Sequence, residues 1–176
     1  VNRQRVILLY LPLCHSYGIG LMMLEFVAGA SMVLLKAWNV EEAMKAIEKY
    51  KVTEMDGVPA MWTMMLNFPD ADKYDLSSLK YPSCGGAPMP LEVLKGWKEK
   101  YGTTINEGWG MTELGAFGAT TPFGETPKLG SVGKCMQKAC TIKIFDDNDQ
   151  EVSQGERGEI VFKGPVVMKG CLLYTS

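Results

Sequence analysis

Apolar residues along the chain fall into short blocks separated by polar or glycine-rich turns. Val6–Leu11 (VILLYL) is a continuous apolar run of strand length stopped by Pro12, the pattern of a strand buried on both faces. Tyr17–Ala28 reads as a helix with little polar surface, and Ser31–Leu35 as a second buried strand. Asn39 followed by Glu42 has the form of a helix cap, so Val40–Tyr50 is predicted to be an amphipathic helix burying Ala43, Met44, Ala46 and Ile47. Thr53–Val58 is the next strand, and Pro59 opens a helix through Asn67, a favoured place for proline.

After a polar, turn-like stretch over 70–78, Leu79–Cys84 leads into Gly85, Gly86, Ala87 and Pro88. Pro90–Tyr101 predicts a helix with Leu91, Leu94, Trp97 and Tyr101 on one side and Glu92, Lys95 and Glu99 on the other, ended by Gly102. Thr103–Glu107 is the strand that follows. This alternation predicts an α/β fold: an open, mostly parallel sheet with flanking helices. Beyond Glu113 the character changes. Residues 115–130 are rich in Gly, Thr and Pro and predict a loop, and Gly130–Lys134, Thr141–Phe145 and Gly158–Lys163 predict short strands of a β-rich segment, barrel-like or a separate sheet.

Composition narrows the function. With 176 residues, 47% hydrophobic and 22% charged, the chain is one globular domain or a piece of a larger one. The net charge of -2 and the lack of a lysine or arginine cluster argue against nucleic acid as a partner. The five cysteines include no CxxC pair and His15 is the only histidine, which speaks against a zinc site or a disulfide framework and fits a reducing cytoplasm. The apolar stretch from Val6 to Leu35 is broken by Pro12, His15, Gly18, Glu25 and Gly29, so no transmembrane segment is expected. Oligomeric state is not legible.

The most distinctive stretch is Ile105–Glu113 (INEGWGMTE). Gly108 and Gly110 allow close backbone approach to a planar ligand, and Trp109 offers a face on which a base could stack. Thr112 can donate to a phosphate, and Glu113 can hold a hard cation such as Mg2+. By itself the stretch also fits a strand ending in a glycine turn, with Trp109 as core and Glu113 as a surface charge. A second glycine turn, Gly85–Pro90, likewise follows a strand, which is where open α/β sheets place ligands.

Four blocks stand together: LPLCHSYG at 11–18, GGAPMP at 85–90, NEGWGMTE at 106–113 and GSVGK at 130–134. In this combination the chain resembles the AMP-forming adenylating enzymes, the superfamily of acyl-CoA synthetases, aryl-CoA ligases, luciferases and peptide-synthetase adenylation domains. GERGEIVFKGPVVMKG at 155–170 is similar to the family as well. The resemblance implies ATP (leaving as AMP), Mg2+ and coenzyme A as cofactors and co-substrates, and a small carboxylic acid as partner. Gly86, Ala87 and Pro88 would line the adenine pocket, closed by Glu107, Gly108 and Trp109, where Trp109 stands in for the family's usual tyrosine. Thr112 would contact a phosphate oxygen, Glu113 would coordinate Mg2+, and these two would carry the catalytic role. His15, Gly85, Gly110, Met111, Val132 and Gly133 would border the acid.

The wording of GGAPMP and EGWGMTE resembles enzymes of medium- or long-chain fatty acids, with an aryl-CoA ligase or other adenylating relative as the alternative. A reading of another class is a non-catalytic nucleotide-binding module. By the resemblance, residues 1–114 form an α/β subdomain of the large N-terminal adenylating domain and 115–170 a loop and β-rich subdomain. The family's phosphate loop would precede Val1, and its ribose-binding aspartate and catalytic lysine would follow Gly170, so residues 1–176 alone are not expected to catalyse. Cys171–Ser176 (CLLYTS) matches one reading frame of a sequencing-library transposon adapter and is set apart from the fold; a genuine apolar tail is the alternative.

Overall fold

A computed structural model describes residues 5–136 and 140–174. Among the described residues, strands and helices alternate through the first part of the chain as the hydrophobic blocks predict: β1 (Val6–Leu9), α1 (Ser16–Ala28), β2 (Ser31–Leu34), α2 (Val40–Tyr50), β3 (Glu54–Gly57), α3 (Pro59–Leu66), β4 (Tyr81–Cys84), α4 (Leu91–Tyr101) and β5 (Asn106–Trp109), followed by strands β6 (Ala119–Thr120), β7 (Lys134–Cys135), β8 (Thr141–Phe145) and β9 (Glu159–Lys163). The main sheet has the order β2-β1-β3-β4-β5-β6-β7. Its first five strands are parallel, and β6 and β7 join antiparallel. Strands β8 and β9 form a separate two-stranded antiparallel sheet.

The strand order reverses between β1 and β3, so the carboxyl ends of β1, β3, β4 and β5 share one edge with a crevice at the switch point. Right-handed crossovers put α2, α3 and α4 on one face and α1 on the other. In keeping with this, α2 touches α3, α3 touches α4, and α1 lies on β1. The three-helix face holds the core. Trp62 and Trp97 are fully buried and meet edge to face at 4.9 Å, a geometry worth about 0.5–1.5 kcal/mol beyond burial. Both indoles are satisfied, Trp62 donating to the Ser83 carbonyl at 3.1 Å and Trp97 to the Thr103 hydroxyl at 3.0 Å. Asn39 caps α2 through a bond from the Glu42 amide, as its spacing predicts.

The α1 face is held differently. Tyr17, Leu21 and Glu25 form an i, i+4, i+8 stripe toward the sheet, where β3 offers Asp56 and Glu54. Arg5 grips both oxygens of Glu54 at 2.5 and 2.6 Å and reaches Glu25 at 3.0 Å. One positive charge therefore serves two largely buried carboxyls. Burial pushes the Glu25 carboxyl up and Arg5 pulls it back. Outward, α1 leaves Met23, Leu24, Phe26 and Val27 exposed. No helix among the described residues is long and apolar enough to cross a membrane.

Three expectations shift. The strand expected over Thr103–Glu107 runs instead over Asn106–Trp109, because the Thr103 hydroxyl is engaged by Trp97 and pairing with β4 begins at Ser83 opposite Asn106. The expected loop over 115–130 contains β6, which extends the main sheet. The strand expected over Gly130–Lys134 is confined to Lys134–Cys135, since Gly130 and Gly133 take φ of 75° and 78°, outside the β region. Of the CLLYTS segment, Leu172 and Leu173 are exposed and add nothing to the core, and residues 175–176 lie outside the described residues.

The reversal from β5 into β6 depends on missing side chains. A Cβ at Gly110 would stand 1.6 Å from the Ala116 carbonyl oxygen, and one at Gly118 would stand 2.5 Å from the Trp109 ring. Ala116 itself takes φ 96°, a strained conformation for a residue with a side chain. Gly110→Ala is expected to cost about 3 kcal/mol, the upper part of the range for overpacking, measured as a drop in the urea midpoint of tryptophan fluorescence. Arg5→Met is expected to cost about 3 kcal/mol, the lower end for a broken buried pair because the Arg5 side chain is 28% exposed. Without Arg5 the folded Glu25 carboxyl rises further, so the folded state keeps a proton that the unfolded chain has released. The deficit should be small near pH 4 and grow as pH rises to 8 in the same assay.

Candidate functional site

The residues singled out from sequence gather at the carboxyl edge of the parallel strands. Gly85–Pro88 leave the end of β4, and Glu107–Trp109 lie in the adjacent β5 with Gly110 just beyond it, where Cys84 pairs with Glu107. Gly86 takes φ 82° with only Val58 near its absent side chain, and Gly86, Ala87 and Pro88 are exposed. This leaves a bare backbone rim beside β5. The Glu107 carboxylate accepts from the Gly130 amide at 2.9 Å, so the 121–133 loop is tied back over the site. Trp109 is partly buried, packed on the Gly118 backbone and 6.5 Å from the Phe162 ring.

Beyond Gly110 the chain makes a short 3-10 turn over Thr112–Leu114. The Thr112 and Ser16 hydroxyls lie 3.2 Å apart, which joins this turn to the first residue of α1. Next to Ser16, His15 is exposed and caps α1, its Nδ1 accepting from the Tyr17 amide at 3.1 Å. In the neutral ring that leaves the proton on Nε2, free to donate outward. Glu113 is partly exposed; its carbonyl accepts from the Met168 amide at 2.8 Å, while its carboxylate has no hydrogen-bond or ion-pair partner among the described residues. No group of three or more His, Cys, Asp or Glu among the described residues could hold a metal alone. An uncommitted carboxylate beside a hydroxyl nevertheless fits Mg2+, which is commonly held by one or two carboxylates together with substrate phosphates and water.

The structure thus brings together His15, Gly85–Pro88, Glu107–Gly110, Thr112 and Glu113, with Met111 exposed among them. Val132 and Gly133 stand farther off, next to β7 and across β6 from Gly108, with Gly133 pressed on the Thr120 backbone.

Sequence reading passed over Tyr17, Asp56 and Phe117. The Tyr17 hydroxyl donates to the Asp56 carboxylate at 2.9 Å, and its ring meets Phe117 edge-on at 6.4 Å. Burial is the main cause that lifts the Asp56 carboxyl to about 6, partly offset by the Tyr17 bond and reinforced by Glu54 and Glu25. The Tyr17 hydroxyl is itself pushed well up by burial and by Asp56. An aspartate inside the apolar strand run Met55–Val58 was the available signal. Alongside, a shallow, largely open apolar surface runs down α1, taking in Ser16, Ile19, Met23, Val27 and Phe117.

A family model described as AMP-binding enzyme matches residues 1–172. The 4-coumarate--CoA ligase-like 9 of Arabidopsis thaliana is 38% identical over 174 residues, covering 97% of this chain and 31% of that protein. A long-chain-fatty-acid--CoA ligase of Salmonella typhimurium is 30% identical over 169 residues, 95% of this chain and 30% of that protein. Among solved structures, O-succinylbenzoate coenzyme A synthetase from Bacillus subtilis, in complex with ATP and magnesium ion, superposes with a TM-score of 0.81 at 31% identity, covering 97% of this chain and 35% of that one. The chain spans about a third of the length of the curated relatives it matches. By its sequence and its fold, it belongs to the family of AMP-binding enzymes.

Proposed function

We propose that residues 1–176 form part of a ligase that activates a carboxylic acid with ATP and passes the acyl group to coenzyme A. A carboxylate oxygen attacks the α-phosphorus, the bond to pyrophosphate breaks, and an acyl adenylate forms. The coenzyme A thiolate then attacks the acyl carbonyl and AMP leaves. The observation that carries this reading is the convergence of two glycine turns, a hydroxyl pair and an uncommitted carboxylate at one edge of the sheet. The solved relative's ATP and magnesium ion support the same cofactors here.

In this reading Gly86, Ala87 and Pro88 face the adenine from β4, and Glu107, Gly108 and Trp109 close the pocket from β5. Thr112 donates to a phosphate oxygen. Glu113 holds Mg2+, which neutralises phosphate charge when bound. His15, Gly85, Gly110 and Met111 border the acid, with Val132 and Gly133 on its outer side. The substrate carboxylate is the nucleophile, so positioning and charge neutralisation carry most of the catalysis. Completing the site takes residues outside this chain, and catalysis by residues 1–176 alone is not expected. A cytoplasmic location and the division into 1–114 and 115–170 belong to the same proposal.

A medium- or long-chain fatty acid is the first substrate reading. The open apolar surface on α1 supports it: from Ser16, joined to Thr112, to Val27 the helix runs roughly 16 Å at about 1.5 Å per residue, the reach of an extended alkyl chain. An aromatic acid is the second reading, favoured by the 4-coumarate ligase-like relative. Pyrophosphate release from the intact enzyme, screened against straight-chain and cinnamic acids, separates them. Glu113→Ala is expected to cut the rate by about 100-fold or more, and Trp109→Ala to raise the KM for ATP by about tenfold, in keeping with one lost base stack. An unchanged rate in Glu113→Ala would overturn the metal assignment.

A further inference from the structure

Tyr17 touches several of the elements that converge on the acid side of the site. Its own helix α1 begins at Ser16, its hydroxyl donates to Asp56 of β3, and its ring meets Phe117 from the segment after β5. It also covers Gly85, the first glycine of the β4 turn: a Cβ there would stand 3.1–3.2 Å from the Tyr17 hydroxyl oxygen, Cε1 and Cζ. The ring lies against bare backbone, and the only hydrogen bond of its hydroxyl among the described residues runs to Asp56.

A carboxylate inside a sheet is costly, and a phenylalanine over an apolar residue would fill the same space without that cost. The pair sits where it can set the place of one ring, at the crevice where the strand order reverses. We propose that Asp56 is a positioning residue for the acid pocket, acting through Tyr17, whose ring it holds against Gly85 so that the pocket keeps a fixed width. The proposal rests on the ligase reading of this site.

The groups facing Asp56 are Tyr10 from the segment after β1, Tyr17 and Glu25 from α1, Glu54 from its own strand and Cys84 from β4. Tyr10 donates to the Asp56 carbonyl at 2.6 Å, which fixes the backbone. Arg5 is committed to Glu25 and Glu54, and Asp56 forms no ion pair among the described residues. Burial lifts Asp56 to about 6, so its bond from Tyr17 is charge-assisted above that pH and weaker below it. Acid affinity should follow the same midpoint, and ATP affinity should not.

The test uses pyrophosphate release from the intact enzyme, with dodecanoic and cinnamic acids as probes, from pH 5 to 8. Asp56→Ala and Tyr17→Phe are expected to raise the KM for the acid about tenfold while leaving the KM for ATP within about twofold. Asp56→Asn, which keeps an acceptor oxygen, should retain near-normal acid KM at pH 8 and lose the inflection near pH 6. Equal changes in both KM values, an unchanged acid KM in Asp56→Ala, or an inflection that persists in Asp56→Asn would each overturn the proposal. If Asp56→Ala does not fold, Asp56→Asn and Tyr17→Phe decide it. No acid-dependent pyrophosphate release in the wild-type enzyme would sink the ligase reading and this role together, whereas release with unaltered acid KM sinks only this role.

Discussion

The close backbone approach at the end of β5 is the constraint on which the site depends. Gly110 lies so near the Ala116 carbonyl that no side chain fits, Gly118 lets the backbone lie on Trp109, and Gly133 is pressed on the backbone at Thr120. These three contacts turn a parallel sheet into an antiparallel one within a few residues. They also project Thr112 and Glu113 from a tight turn at the carboxyl edge. A looser turn would let the sheet end at β5 and leave these groups on a mobile loop. Ala116, held at φ 96°, records the strain of that turn, of order 1–3 kcal/mol.

Around this turn, two chemically different faces hold the sheet. Opposite α1, buried tryptophans and methionines supply the apolar core. Under α1 the contacts are polar: Tyr17 with Asp56 at the edge near the site, and Glu25 with Arg5 and Glu54 toward the other end. A helix held by directional bonds has a more specific position than one held by burial alone, at a cost in desolvation. Because Ser16 meets Thr112, the placement of α1 is also the placement of His15 and of the open apolar surface beside it.

Much of this was legible in the chain. Apolar runs predicted β1 and β2, Asn39 and Glu42 predicted a cap, and the glycine turns after β4 and β5 fall at the carboxyl edge of the parallel strands. The misread boundaries have local causes. Thr103 is drawn off by Trp97, and positive φ at Gly130 and Gly133 breaks a stretch that otherwise reads as strand. The two residues of β6 carry no periodicity at all; pairing with β5 makes them a strand. At the site, residue types with evident chemistry stood out, whereas Tyr17 and Asp56 acquire meaning only when a helix and a strand 39 positions apart are brought together.

The chain spans about a third of the length of its curated relatives. In the ligase reading proposed above, it would supply a nucleotide-facing rim, a hydroxyl and a carboxylate for a metal, and one wall for the acid. The most direct measurement is a crystal structure of the intact enzyme with Mg2+ and a non-hydrolysable acyl-adenylate analogue. The expected result has adenine between Gly86–Pro88 and Trp109, with Mg2+ on Glu113. Adenine bound elsewhere, with the Glu113 carboxylate free of metal, would contradict the account.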